Sequence, residues 1–358
     1  MHESSICVKS PGKLILLGEY AVLEQAPALV TAIDRHCIVK IAPLYNSTFQ
    51  IRTGNLNLPE IQFTLDSNGD AYFRTPMSDK TERQLRFVLS MLKYVTQRNG
   101  KIPGASIEIN TAPFYHKTTG HKFGLGSSAA LTVSLLSALM EYMNKHIEQE
   151  DIYREAFLAH RHAQGKLGSG TDIAASATGG VMSYTMPESI EKLNGQVKPL
   201  SWPEDLHFIT IWAGYAASTR SFVSNVNIFR DQQIAKYDSI MNTMMKLSYE
   251  GSKAFEMGDT DAFLNIVEDF KNQEYILGQE SDTEIISDVH QEISRMVQNA
   301  GGTYKPSGAG GGDIGVAFCK DSSTAERIRH VISESMFDVM NLRMNPTGME
   351  VVHTMNIE

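Results

Sequence analysis

The sequence predicts an α+β fold in two joined domains, and three observations support this prediction. The chain has 358 residues, which is long for one hydrophobic core and sufficient for two. Its first hundred residues are rich in Val- and Ile-containing segments typical of β-strands. Further on, helical and strand-like segments alternate, as expected where helices are layered on sheets. We expect residues 1–200 and 201–358 to form the two domains, with the boundary at the Pro-containing stretch "PLSWPEDLHF".

The predicted first domain begins with strands and continues with helices. Strands are expected at "SICVKS", "APALVTAIDRHCIVKIAPL", "STFQIRTG" and "QFTLDS". Apolar residues at helical spacing predict a helix from Lys80 to Asn99, which Gly100 ends. A strand at "ASIEIN" then leads through a loop into an apolar helix after Ser128, and another helix is expected from about Gln149 to Gln164. The elements therefore alternate in type without an internal repeat.

The predicted second domain is mostly helical. Helices are expected over about Arg230 to Met257, Thr260 to Leu277 and Asp282 to Asn299. The sequence that follows predicts a strand at "IGVAFCK", a helix at "SSTAERIRHVISESM" and a strand at "GMEVVHTM". This domain is therefore expected to contain a small sheet covered by helices.

The composition limits the classes of partner. Lys and Arg number 32 against 41 Asp and Glu, a formal net charge of -9, which argues against broad binding to nucleic acid. Three cysteines without a CxxC pair indicate reduced thiols, and the sequence shows neither a signal peptide nor an apolar run of membrane-spanning length. We therefore expect a soluble cytoplasmic protein, monomeric or homodimeric, that meets any anionic ligand with locally placed cations.

A loop of small residues precedes the long apolar helix and predicts an anion site. Glycines allow successive backbone N–H groups to converge on an anion, and the helix that follows adds unsatisfied N–H groups and the positive end of its dipole. A phosphate fits this description. The alternative is an ordinary turn in which Ser127 caps the helix. The residues concerned are Gly124, Leu125, Gly126, Ser127, Ser128 and Ala129.

Two other glycine clusters strengthen the phosphate hypothesis. Near the start, "KSPGKLILLGEYAVL" places Lys9 and Lys13 around a Pro-Gly turn with Glu19 behind it. Near the end, "KPSGAGGGDIGVAF" packs glycines before a strand, which indicates close backbone approach to a ligand or to another loop. The Walker motif and the protein-kinase signatures are absent. A nicotinamide-dependent oxidoreductase built on Gly124-x-Gly126-x-x-Ala129 remains as an alternative, but the strand-rich first hundred residues oppose it.

Together the three stretches resemble the superfamily of galactokinase, homoserine kinase, mevalonate kinase and phosphomevalonate kinase. The resemblance rests on Pro11-Gly12-Lys13 with Gly18-Glu19, on Gly124 to Ala130 and on Ser307 to Gly312, and it spans nearly the whole chain. It implies a ribosomal-protein-S5-like N-terminal lobe and a ferredoxin-like C-terminal lobe with extra helices. It also implies an active site between the lobes that transfers a phosphoryl group from ATP with Mg²⁺.

The same resemblance implies catalytic roles. The segment "GKLGSGTDIAASATGG" is similar to the family's acid motif, which makes Asp172 the carboxylate that faces the acceptor, although a helix N-cap is the ordinary role of such a residue. Lys13 is expected to neutralise charge on the transferred phosphoryl group, and Ser128 to contact Mg²⁺ or a phosphate oxygen. Lys9 is a further catalytic candidate or a solvated strand end.

Binding residues are assigned in the same way. The resemblance implies that the nucleotide contacts Lys122 and the loop Gly124 to Ala129. The segment "AASTRSFV" is similar to the family's substrate-facing loop, although an ordinary turn would also account for it. The residues expected to contact the acceptor are Lys9, Ser218, Thr219, Arg220, Ser307, Gly308, Ala309 and Gly310.

Two departures indicate the branch. In mevalonate kinases a helical Glu helps to hold Mg²⁺; here His160 stands at that position, and the nearest acid, Glu155, lies more than a turn earlier. Asp313 replaces a glycine of the C-terminal loop. Both features are similar to the phosphomevalonate kinase branch, which implies a phosphate acceptor, phosphomevalonate. The alternatives are a mevalonate kinase and a non-catalytic ligand sensor.

A phosphate acceptor changes the expected chemistry. A phosphomonoester has a second pKa near 6, so Asp172 would orient the acceptor more than deprotonate it. Two phosphates brought together also require cations. The candidates in or beside the motifs are Lys9, Lys13, Arg161, Arg220 and Lys305.

Overall fold

The fold combines two β-sheets with helices packed around them. The computed structural model describes residues 5–54, 60–74, 76–164, 168–189, 193, 196–215 and 219–354. The strands are β1 Ser5–Leu17, β2 Ala28–Pro43, β3 Thr48–Thr53, β4 Ile61–Leu65, β5 Ala71–Phe73, β6 Ala105–Asn110, β7 Val181–Tyr184, β8 Val197–Leu200, β9 His207–Trp212, β10 Thr303–Pro306, β11 Ile314–Cys319, β12 Asp338–Met340 and β13 Glu350–Thr354. The helices are α1 Asp79–Asn99, α2 Ser127–Tyr142, α3 Gln149–Gln164, α4 Thr171–Thr178, α5 Thr219–Gln232, α6 Ile234–Met257, α7 Thr260–Glu280, α8 Asp288–Asn299 and α9 Ser322–Ser333. The predicted α+β class is confirmed.

The larger sheet is organised around the long strand β2. Its strand order is β13-β1-β2-β6-β3-β4-β5, while β7 pairs with β2 and β8 pairs with β7. One stretch of β2, residues 38–43, pairs with β6, and another, residues 28–31, pairs with β7. The register between β1 and β2 shifts at Pro11 and Gly12, so β1 bends immediately before Lys13. This bend lies at the first predicted motif.

Helices α1 to α4 pack together beside this sheet, with α2 and α4 against β1 and β2. Helix α2 is buried along nearly its whole length, because most of its residues are apolar or small. Neither α2 nor any other described helix is long and apolar enough to cross a bilayer.

The smaller sheet has the antiparallel order β10-β11-β9-β12. Strand β11 is buried throughout and alternates its side chains between two layers. Ala317 and Cys319 face a core shared with α8 and α9, while Phe318 meets Phe263 of α7 at a centroid distance of 5.5 Å. The sheet is therefore covered by helices on both faces.

Helix boundaries in the second half differ from the prediction. The helix expected over about Arg230 to Met257 begins at Ile234, because the chain leaves the helical conformation at Gln233, and the separate helix α5 before it was not predicted. Helix α8 begins at Asp288 and not at Asp282, because Ser287 caps it by accepting the N–H of His290 at 3.5 Å. Local caps thus set these ends.

The last strand lies in the first sheet, although the sequence-based division placed it in the second domain. Strand β13 pairs antiparallel with β1, from Ser5 with Thr354 to Lys9 with Glu350. The edge of β1 opposite β2 would otherwise present unpaired backbone groups, and β13 satisfies them. Residues 201–358 therefore do not form one unit in space.

Candidate active site

The predicted phosphate loop, residues 124–129, which we call the phosphate-loop segment, enters α2 without a side-chain cap. Gly126 is the N-cap residue, with a φ of 77° that favours glycine, and no side chain accepts the first amides of the helix. Ser127, the predicted alternative cap, is buried inside the first turn of the helix and does not cap it. The helix therefore presents free N–H groups and the positive end of its dipole, which suit a phosphate.

Lys13 of β1 lies directly against this loop. Its backbone N–H donates to the Leu125 carbonyl at 3.0 Å. A methyl group at Gly12 would lie 2.6 Å from the same carbonyl oxygen, so only glycine allows the strand to approach the loop. The side chain of Lys13 is 5% exposed. The bend of β1 thus places one buried lysine at the loop.

Asp172 reaches the same point from α4. The N-cap of α4 is Gly170, and Asp172 is the second residue of the helix, so the alternative N-cap role does not apply. A methyl group built on Gly126 would lie 2.9 Å from Lys13 Cγ and 3.7 Å from both Cβ and Oδ2 of Asp172. Lys13, Asp172 and the phosphate-loop segment therefore converge.

The C-terminal glycine loop, residues 307–313, crosses from the smaller sheet to this point. The Ser307 hydroxyl donates to the Ile15 carbonyl at 2.9 Å and accepts the Ile15 N–H at 3.0 Å. A methyl group on Gly308 would lie 3.9 Å from Lys13 Nζ. The Ala309 carbonyl accepts the Tyr20 hydroxyl at 2.6 Å. In this structure the hydroxyl of Ser307 is thus used to join the lobes.

Lys122 and Asp313 complete the charged surroundings. A methyl group on Gly124 would lie 2.6 Å from Asp313 Oδ2, so the Asp313 carboxylate faces the phosphate-loop segment. Surrounding protein lowers the pKa of Lys122 and Lys13 lowers it further, whereas Asp172 and Asp313 oppose the shift. Lys122 is nevertheless exposed to solvent. Two lysines and two aspartates therefore surround the segment.

His160 lies near the same charges. Burial lowers its pKa, Lys122 adds to the effect and Asp172 opposes it, so a neutral imidazole is favoured. Its Nε2 is buried and has no hydrogen-bond partner among the described residues. Glu155 points elsewhere, with Oε2 lying 3.8 Å from Arg98 Nη2. Within the described ranges, no group of three or more His, Cys, Asp or Glu side chains is arranged to hold a metal ion.

Other predicted site residues have different surroundings. Lys9 Nζ lies 2.8 Å from Glu350 Oε2, at the β1–β13 edge, so its catalytic role stays a prediction. The expectation that Lys305 supplies positive charge to phosphates is wrong, because its side chain is fully buried and its Nζ lies 2.5 Å from Glu19 Oε1. Ser218 and the side chains of Thr219 and Arg220 lie outside the described residues; the backbone of Thr219 begins α5.

Sequence reasoning missed the aromatic contacts beside Lys122. Trp212, at the end of β9, stacks on His116 with centroids 4.5 Å apart, and Phe123 meets the same indole edge-on at 5.8 Å. The loop before the phosphate-loop segment is therefore held against the second sheet. Only the tertiary fold brings these residues together, so no local pattern in the sequence signals the contact.

His290 fixes the far end of the glycine loop. Its Nε2 lies 3.1 Å from the Gly312 carbonyl, which can only accept, so Nε2 carries the proton. Nδ1 then accepts the Tyr304 hydroxyl at 2.8 Å. Burial lowers the pKa of His290 to about 4, so the neutral tautomer is the native form.

This buried histidine predicts a loss of stability in acid. Between pH 6.5 and pH 4 the unfolded chain binds a proton that native His290 does not, which lowers the unfolding free energy by on the order of 3 kcal/mol across that window. Urea unfolding of the wild type and of His290→Gln at several pH values measures this contribution. The unfolding free energy of the variant should lack that part of the pH dependence. If the unfolding free energies of both proteins change equally with pH, His290 is not the neutral buried group described here.

Two family models match this chain. Residues 86–180 match the GHMP kinases N terminal domain, and residues 252–338 match the GHMP kinases C terminal model, so together they match slightly more than half of the chain. The first contains the phosphate-loop segment and Asp172, and the second contains the glycine loop. The chain belongs to the GHMP kinases, a family of ATP-using kinases.

Individual relatives extend the likeness over most of the chain. It is 28% identical to the phosphomevalonate kinase of Streptomyces sp. strain CL190, over 92% of this chain and 93% of that protein. It is 29% identical to the mevalonate kinase of Archaeoglobus fulgidus, over 85% of this chain and 88% of that protein. Its fold is similar to that of Streptococcus pneumoniae phosphomevalonate kinase, solved in complex with phosphomevalonate and AMPPNP. The TM-score is 0.75 and the sequence identity 20%, and the match covers 94% of this chain and 99% of that chain.

Proposed function

We propose that this protein transfers the terminal phosphoryl group of ATP to 5-phosphomevalonate, forming 5-diphosphomevalonate and ADP, in isoprenoid precursor synthesis by the mevalonate pathway. One observation carries the proposal: Lys13 and Asp172 meet at Gly126, where α2 begins with uncapped amides. The 28% identity to a phosphomevalonate kinase, over 92% of this chain, supports the choice of acceptor.

In this proposal the nucleotide phosphates bind the free amides from Gly126 to Ala129, with Lys122 beside them. The hydroxyl of Ser128 and the carboxylate of Asp172 are hard oxygen ligands of the kind that Mg²⁺ takes in combination with phosphate oxygens. When bound, Mg²⁺ supplies positive charge against the nucleotide phosphates. The side chains do not form a complete metal site, so the ion would be held jointly with the nucleotide.

The acceptor is an already ionised phosphate. Its second pKa lies near 6, so at neutral pH it attacks as the dianion and no general base is required. Asp172 orients the attacking oxygen and helps to hold Mg²⁺, while Lys13 stabilises the negative charge on the transferred group. His160, at the position where mevalonate kinases carry a Glu, is favoured in its neutral form and therefore adds no negative charge there to repel that dianion.

The choice of acceptor can be tested directly. Purified protein with ATP and Mg²⁺ is given mevalonate or 5-phosphomevalonate in parallel, and ADP release and the phosphorylated product are measured. We expect a higher kcat/KM with 5-phosphomevalonate. A preference for mevalonate would assign the protein to the other branch, to which the relative from Archaeoglobus fulgidus belongs. Nucleotide binding without turnover of either acid would favour a ligand sensor.

A further inference from the structure

Three buried ionisable side chains lie beneath the glycine loop, outside the group that surrounds Gly126. Lys305 of β10 and Glu274 of α7 are fully buried, and Glu19, which follows β1, is 3% exposed. Lys305 Nζ lies 2.5 Å from Glu19 Oε1 and 3.6 Å from Glu274 Oε1. We call these residues the buried triad. It joins the two lobes through ionisable groups removed from water.

The triad has more acidic groups than its lysine neutralises. Glu19 Oε2 and both oxygens of Glu274 are buried without a hydrogen-bond partner among the described residues. A second ionised carboxylate here would be an uncompensated buried charge, which is strongly unfavourable. Burial and Glu19 together raise the pKa of Glu274 well above its usual range, against the opposing effects of Lys305 and Lys271.

The other titratable groups around the triad do not supply the missing positive charge. The Tyr20 hydroxyl donates to the glycine loop, and its pKa is raised by burial and by both carboxylates. The pKa of His290 is lowered, which favours its neutral form beside Lys305. Lys271 Nζ lies 2.5 Å from Glu268 Oε1 and is already paired.

The triad acts on the active site through one backbone amide. Glu19 Oε1, the oxygen held by Lys305, also accepts the Gly308 N–H at 3.2 Å. A methyl group on Gly308 would in turn lie 3.9 Å from Lys13 Nζ. The Glu19 carboxylate is therefore one of the contacts that place the glycine loop relative to Lys13, next to the Ser307–Ile15 pair.

We propose that Glu19 and Lys305 are positioning residues that hold Gly308 beside Lys13, and that Glu274 completes the buried site as a neutral carboxylic acid. The catalytic consequence rests on the function proposed above for Lys13. Lys305 serves as the buried counterion of Glu19 and touches neither nucleotide nor acceptor. The triad thereby couples closure of the lobe interface to the placement of the catalytic lysine.

The first test separates positioning from stability. Lys305→Met alone leaves Glu19 without its counterion and should lower Tm strongly, whereas Glu19→Met/Lys305→Met replaces the pair by apolar side chains and should restore most of the Tm. The double variant should nevertheless show a kcat lower by about tenfold or more, because Gly308 has lost its acceptor. Its dissociation constant for AMPPNP should stay near that of the wild type.

A surface ion pair provides the matched control. Lys320 Nζ and Asp261 Oδ2 lie 2.5 Å apart and exposed, and Asp261 shares α7 with Glu274. Lys320→Met/Asp261→Asn should leave kcat and Tm near the wild-type values. A buried-pair double variant with wild-type Tm and wild-type kcat would overturn the positioning role.

The second test addresses Glu274 and does not depend on activity. A carboxyl group whose pKa is raised by folding stabilises the native state fully only below its unfolded pKa of about 4.3, and that contribution declines as the pH rises. Glu274→Gln has no such decline, so it should be more stable than the wild type at pH 7 and lose this advantage towards pH 4. A variant less stable at pH 7 would mean that Glu274 is ionised.

Amide hydrogen exchange tests the hold of Glu19 on Gly308 without depending on which substrate the protein phosphorylates. If neither acid is phosphorylated by the wild type, kcat is lost as a readout, but exchange across residues 306–315 remains measurable by mass spectrometry. The peptide containing Gly308 should exchange faster in the Glu19→Met/Lys305→Met variant than in the wild type and in the surface control. Equal exchange in all three proteins would refute the triad's hold on Gly308, whatever the substrate.

Discussion

We expect Asp172→Asn to lower kcat by about 10²-fold or more while the protein stays folded. Asn keeps the shape of the side chain but removes a negative charge that lies near Lys13 and Lys122. The acceptor and Mg²⁺ then lose an oxygen ligand of the right charge, while the α4 backbone is unaffected. Steady-state kinetics with ATP and each acid, together with Tm, measure the two effects separately.

The chain contains a matched control for this substitution. Helix α7 begins with Thr260-Asp261, as α4 begins with Thr171-Asp172, and each aspartate is the second residue of its helix. Asp261 is exposed and pairs with Lys320. Asp261→Asn should therefore have the same local effect on a helix dipole with near-normal turnover. A similar loss of kcat in both variants would show that the effect does not come from the site.

Lys13→Met should lower kcat by about 10²–10³-fold, because the side chain of Lys13 packs on Gly126, which Asp172 also approaches, and its ammonium lies beside Gly308. Methionine retains most of the aliphatic stem, so packing against Gly126 persists. Stopped-flow measurement of a single turnover, with nucleotide saturating, distinguishes a slower chemical step from weaker nucleotide binding.

Lys40→Met provides the control for Lys13. Lys40 is an exposed residue of β2, the strand that pairs with β1, so its loss removes one positive charge from the same sheet. The kcat of the Lys40→Met variant should be close to that of the wild type. Near-normal turnover of Lys13→Met would mean that Lys122 or another cation stabilises the transferred group.

The fold and the three motifs were predictable because they depend on local signals. Helix α1 begins one residue before its predicted start, since Ser78 caps it, and it ends at Gly100 as expected. The phosphate-loop segment was recognisable from glycines and serines at the head of an apolar helix. Such features depend on backbone conformation and on the periodicity of apolar residues, both of which a single sequence carries.

The surroundings of individual charges were not predictable in the same way. Lys305 and Lys9 both lie in glycine-rich motifs, yet one is buried against Glu19 and the other pairs with Glu350 at a sheet edge. The contact between His116 and Trp212 joins residues far apart in the chain. These partners are set by tertiary packing, which a charge pattern along the chain does not encode.

The return of β13 to β1 has a mechanical consequence. The polypeptide passes between the two sheets once from β8 to β9 and again from β12 to β13. Two connecting segments of the chain therefore join the lobes. A body joined at two points cannot swing freely in every direction and rotates most easily about the line between them. Both connections therefore restrain any movement of one sheet relative to the other, and a chain truncated before Glu350 would lose the strand that anchors the second connection to β1.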